Sequence, residues 1–212
     1  MADEKKHSAA WDGFYESFFG DPYMAWHDGL DTESLRALEG EEREEAERLL
    51  NEALKTGDYR PAVGLRVLGA KGSVARLKEQ LGDAAGKTEV EIALALWKLA
   101  EWPPAVNILI RTLKDGPHWS IRMDAATALG EVETPKSVQA LLSGLNDPED
   151  LVRNHCAESL IEMLDLPAKA NDIGSYNLAI DVMGNKAKRE KAIKQIREMV
   201  DKTEMAAQLR KL

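Results

Sequence analysis

Leu113-Lys114-Asp115-Gly116-Pro117-His118-Trp119-Ser120-Ile121-Arg122-Met123-Asp124-Ala125-Ala126-Thr127-Ala128-Leu129-Gly130 is the stretch on which the fold turns. It joins a Leu-x-Asp turn to an apolar, alanine-rich run. The same triplet stands at Leu81-Gly82-Asp83 and at Leu145-Asn146-Asp147, so three copies lie 32 residues apart. Each leads into an apolar helical run, at 90–100, 121–130 and 152–161. A fixed interval of this size marks stacked helix pairs, because one pair cannot bury its apolar face alone and the next pair must cover it.

Outward from that stretch, the helices are expected in pairs: 103–113 with 121–130, 135–145 with 152–164, 74–81 with 90–100, and 41–54 with 59–68. Pro103 and Pro135 fall where a first helix begins, the one helical place where a missing N–H is harmless. Gly69, Gly130 and Gly184 each close an apolar run, which predicts left-handed C-terminal caps. A last, less regular unit covers 173–184, 186–200 and 204–212. Ile193, Ile196 and Val200 form its stripe, with lysine and arginine outside, as the polar closing face of a stack requires.

Residues 1–38 differ from the rest. Seven of the twelve aromatic residues lie in 11–26: Trp11, Phe14, Tyr15, Phe18, Phe19, Tyr23 and Trp26. The first four have helical spacing, and Gly20-Asp21-Pro22 stops that helix. Asp31 or Thr32 caps a second short one. Most of these rings are expected to cap the first pair. The other reading is a docking element, because Trp and Tyr dominate binding hot spots. The expected organisation is an aromatic N-terminal cap at 1–38, repeats at 39–184 and basic capping helices at 185–212.

The chain has 212 residues, 44% of them apolar, and a net charge of -9. The charge is uneven: -10 over residues 1–58, -4 over 59–184 and +5 over 185–212. Such a body disfavours nucleic acid and suits a basic protein. The one cysteine, Cys156, excludes an intrachain disulfide and fits a buried small-residue slot. No apolar segment follows the charged start, and none nears membrane-spanning length. The expectation is a soluble cytoplasmic protein.

The units at 113–130 and 145–161 share one pattern: leucine, aspartate, a short turn, then Ile/Val-Arg-x-x-x-Ala. They read Asp115…Ile121-Arg122…Ala126 and Asp147…Val152-Arg153…Ala157. This resembles HEAT repeats, specifically the short bilin-lyase-like subfamily. The likeness extends over about residues 40–165, with Arg60 fitting the pattern and Glu91 departing from it. The resemblance implies a right-handed αα superhelix, a HEAT-like solenoid, with the second helix of each pair on the concave face. It also implies a ladder of turn aspartates and helix-opening arginines: Asp115–Arg122, Asp147–Arg153 and Asp58–Arg60. At Asp83, which meets Glu91, the ladder should break.

Three enzyme types are built on similar repeats. Deoxyhypusine hydroxylase resemblance would require His-Glu pairs. The four histidines here are followed by Ser, Asp, Trp and Cys, and His155 with Glu158 supplies only two ligands. Alkylpurine DNA glycosylase resemblance would place Trp97, Trp102, Trp119 and Asp124 in a basic groove, but helices 90–100 and 121–130 carry one Lys and one Arg. Bilin lyase resemblance would require a pigment site, and none is legible. Gly69-Ala70-Lys71-Gly72-Ser73 lies between helices, so it reads as an inter-repeat turn rather than a phosphate loop. The expectation is a non-catalytic protein-binding scaffold without metal or cofactor, an immunity or inhibitor protein for a basic partner. Its concave face would be built from Arg66, Trp97, Asp124, Thr127, His155, Glu158 and Glu162. The alternative is a bilin-lyase-like or alkylpurine-DNA-glycosylase-like enzyme.

Overall fold

The computed structural model describes residues 7–166 and 173–209. Every regular element among them is helical. Residues 210–212, the end of the last expected helix, lie outside the described residues, as do residues 1–6 and the side chain of Trp26. The chain divides into two compact units, Met1–Glu101 and Trp102–Leu212.

The first unit contains α1 (Ala9–Phe19), α2 (Pro22–His27), α3 (Thr32–Arg36), α4 (Gly40–Ala53), α5 (Arg60–Leu68), α6 (Val74–Leu81) and α7 (Lys87–Ala100). Helices α4 and α5 pack together, as do α6 and α7, and α5 packs on α7. Thus two helix pairs stack through their second members. Helix α1 packs on α3 and α5, with Trp11, Phe14 and Phe18 buried. Gly64 makes room for this: a Cβ there would lie 2.7 Å from Leu50 and 3.1 Å from Phe18. The short helices begin on side-chain caps, Ser8 for α1, Asp21 for α2 and Asp31 for α3. Each cap accepts from a backbone N–H that has no partner inside the helix. Asp31 is the cap, not Thr32. The Ser34 side chain and N–H both donate to its carboxylate and hold it below its ordinary pKa.

The second unit contains α8 (Pro103–Asp115), α9 (Trp119–Val132), α10 (Pro135–Gly144), α11 (Asp150–Met163), α12 (Ile173–Asp181), α13 (Lys186–Val200) and α14 (Glu204–Leu209). Here α8 packs on α10 and α9 on α11, first helix on first and second on second. Helix α8 buries Val106, Leu109, Thr112 and Leu113, a stripe at helical spacing. Helix α9 buries Ala125, Ala126, Ala128, Leu129 and Val132. Its small residues let α11 approach closely: a Cβ on Gly130 would lie 2.7 Å from Ser159 Cβ, and Ser159 Oγ donates to Ala126 O (3.2 Å). Gly144 likewise faces Cys156 Sγ with no room for a Cβ. Cys156 is buried as expected, and desolvation pushes its thiol pKa well above the ordinary value. Helix α12 packs on α11 and α14 on α10, so the regular alternation of pairs stops there.

Two of the expected glycine caps are corrected. Gly69 is left-handed (φ 65°), as expected. Gly130 instead lies inside α9, where its role is the close approach to Ser159. Gly184 sits in a turn, donates to Asp181 O (3.0 Å) and is not left-handed. Left-handed backbone recurs after Gly69 at Glu101 (φ 46°) and Glu133 (φ 55°), the C-caps of α7 and α9, and at Asp165 (φ 42°), one residue past the C-cap of α11, each 32 residues after the last. The periodic conformation therefore persists where glycine does not. A Cβ in this region costs about 1–2 kcal/mol, and a carboxylate at a helix C-terminus opposes the macrodipole. Exposed Glu133 should therefore be improvable. We predict that Glu133→Gly raises the unfolding free energy by about 0.5–1 kcal/mol, net of the added freedom of the unfolded chain. A lowered urea midpoint would contradict this.

Candidate functional site

The seven residues expected on the concave face fall in both units. In the first, Arg66 on α5 is half-buried, and its Nη2 donates to Glu91 Oε2 on α7 (3.2 Å). Glu91, which stands where a ladder arginine was expected, is thus an acceptor for a basic residue of the preceding pair. Trp97 is half-buried on α7. The other five residues are in the second unit.

There the packing of α9 on α11 brings two short rows together. On α9, Asp124 and Thr127 are three residues apart, so they are neighbours on the helix surface. On α11, His155, Glu158 and Glu162 repeat the spacing. Thr127 Oγ1 lies 3.3 Å from His155 Nδ1 and donates to Met123 O (3.3 Å). His155 Nδ1 lies 3.8 Å from Glu158 Oε2. Thr127 and Glu162 are exposed; Asp124, His155 and Glu158 are half-buried. Glu131, one turn beyond Thr127 and half-buried, completes the α9 row. It was missed in the sequence, although its i+4 spacing from Thr127 carries the same signal. Among the described residues no group of three or more His, Cys, Asp or Glu is placed to hold a metal ion.

The basic side chains of the same two helices are committed elsewhere, and here the expected ladder is corrected. Arg122 does not pair with Asp115. Its Nε donates to Asp147 Oδ2 (2.8 Å) and its Nη2 to Asp147 Oδ1 (2.9 Å), while Nη1 holds Gly116 O (3.1 Å). The bond to Asp147 raises the Arg122 pKa above its ordinary value. Arg122 thus joins its own helix pair to the turn of the next one. Arg153 does not meet the Asp147 carboxylate, which Arg122 occupies. It is buried, pairs with Asp150, and donates to the carbonyls of Asp147 (2.7 Å), Pro148 (2.9 Å) and Val182 (3.0 Å). Asp58–Arg60 is as expected, with Nε to Oδ2 at 2.8 Å. Both arginines of α9 and α11 are therefore fold-forming. Neither helix contains a lysine, so the surface row carries four carboxylates, one imidazole and one hydroxyl.

No helix among the described residues is long and apolar enough to cross a membrane. The chain matches no curated protein. Residues 74–161 match the family model for HEAT repeats, and that span runs from the start of α6 to within α11, the pairs in which the turn and helix motifs recur. Residues 74–161 therefore carry HEAT repeats, in a chain whose regular elements are all helical among the described residues.

Proposed function

We propose that this repeat-bearing chain is a non-catalytic scaffold for a basic protein, acting as an immunity or inhibitor protein acts on its target. The supporting observation is the surface row on α9 and α11: Asp124, Thr127 and Glu131 beside His155, Glu158 and Glu162. The row is acidic in composition, and the arginines of its two helices, Arg122 and Arg153, are committed to holding the fold together. Such a one-signed surface attracts an oppositely charged partner, speeds encounter and disfavours acidic competitors. Stacked helix pairs suit this task, since they present an extended surface without needing a catalytic pocket. The aromatic segment at 1–38 and the basic helices at 185–212 serve as caps in this reading.

The test is affinity capture by the full chain against the Glu158→Lys/Glu162→Lys variant. We expect basic proteins to be retained by the parent and lost at least tenfold in the variant. Capture dominated by acidic proteins or nucleic acid, or retention indifferent to the charge reversal, would overturn the reading.

A further inference from the structure

A cleft in the first unit carries a charge that its surroundings do not balance. It encloses about 320 Å3 between the segment from α2 to the start of α3 and the helices α5 and α7. That volume lies at the lower end of the range for small-ligand sites. Ala25, Leu30 and Val63 give the cleft an apolar wall, and Arg66, Lys87 and Glu91 give it a charged one. Ala25 and Val63 are buried and Leu30 is half-buried, so the wall belongs to the packed fold.

Arg66 Nη2 and Glu91 Oε2 are 3.2 Å apart, and their side chains are only 20% and 17% exposed. The charges of this pair cancel. Glu91 is also the i+4 neighbour of Lys87, the partner that a surface lysine ordinarily finds along a helix. Lys87 Nζ lies instead 4.1 Å from the centre of the Tyr59 ring, which lines the same cleft. No carboxylate among the described residues forms an ion pair with Lys87. Residues 7–35, on the other side of the cleft, contain no lysine or arginine. The lining is thus left with one positive charge, beside a stretch in which residues 1–58 carry -10.

We infer that this cleft binds an aliphatic carboxylate, with Lys87 as its charge partner and the Ala25–Leu30–Val63 wall against its apolar body. The ammonium has three donors and no acceptor, and a ring face satisfies its charge only in part. A carboxylate brings the single negative charge that the cleft lacks. A phosphate brings nearly two, and Glu91 repels the second. An amide of the same shape brings none. The aliphatic body follows from the wall, whose three side chains are neither aromatic nor polar. The cleft lies in the first unit and the acidic row on α9 and α11 in the second, so the two readings stand independently.

Aliphatic carboxylates occur as free small acids and as the ends of peptide chains, and the test takes one of each. The full chain is titrated calorimetrically with 4-methylpentanoate and with acetyl-Gly-Gly-Leu, each compared with its primary amide. At least one acid is expected to bind about tenfold tighter than its amide, the worth of one charge-assisted contact. The better acid names the source, a free acid or a chain end. Lys87 is exposed, and Lys87→Met keeps an apolar stem while removing the charge. This variant should erase the acid preference without moving the thermal midpoint, and Lys87→Arg should retain it. Equal binding of acid and amide, binding of neither, or an acid preference that survives Lys87→Met overturns the site. Backbone amide shifts on titration are expected at 25–32 and 87–91, and shifts confined to the second unit overturn it as well.

Discussion

Arg122→Ala is expected to lower the unfolding free energy by about 3–5 kcal/mol, the range for breaking a buried, hydrogen-bonded ion pair from one side. The side chains of Arg122 and Asp147 are only 13% and 8% exposed. Removing the guanidinium takes two donors from the desolvated Asp147 carboxylate, leaving it only the Glu149 N–H as a donor among the described residues, and leaves the Gly116 carbonyl without its Nη1 donor. The informative control is Asp115→Ala. Asp115 is exposed, and a surface substitution away from special contacts changes stability by about 0.5 kcal/mol or less. Urea unfolding of the two variants decides between the pairing seen here and one within a single repeat. Comparable losses in both would show that Asp115, not Asp147 alone, holds the guanidinium.

Leu129→Ala should be nearly as damaging, at about 2–5 kcal/mol. Leu129 is 0% exposed on α9, among Ala125, Ala126, Ala128 and Val132. Alanine neighbours are already small and cannot swing inward to fill the space, so the cavity term should add to the lost transfer energy. The Gly130–Ser159 approach fixes the distance between α9 and α11 and further limits collapse. The measurement is the shift in denaturant midpoint at constant m-value. An unchanged midpoint would remove Leu129 from the core.

The helices were legible because two signals coincided, the 32-residue interval and the apolar period of 3.6. Element ends were off by one to three residues, as at α7 and α9, because a fraying turn carries little apolar signal. The ladder implied by the family resemblance paired Arg122 with Asp115, seven residues away in its own repeat. The real partner is 25 residues on, a distance at which only stacking brings groups together. Glu101, Glu133 and Asp165 escaped notice because left-handed backbone is normally advertised by glycine or asparagine. Gly130 misled for the converse reason: a helical glycine read as a terminator was making room for Ser159. The surface row on α9 and α11 was largely visible as exposed positions of second helices. Its electrostatic character was not, since that depends on where Arg122 and Arg153 are tied.

The forward reach of those two arginines constrains how such a chain can change length. Arg122 is held by Asp147 in the following pair, and Arg153 by the Val182 carbonyl beyond its own pair. Excising or duplicating an arbitrary segment would strand a guanidinium inside the protein. Recombination between equivalent points, a whole period apart, hands each arginine a new acceptor of the same kind. Genes for this architecture should therefore grow and shrink in complete modules, with the desolvated cation acting as the proofreader of phase.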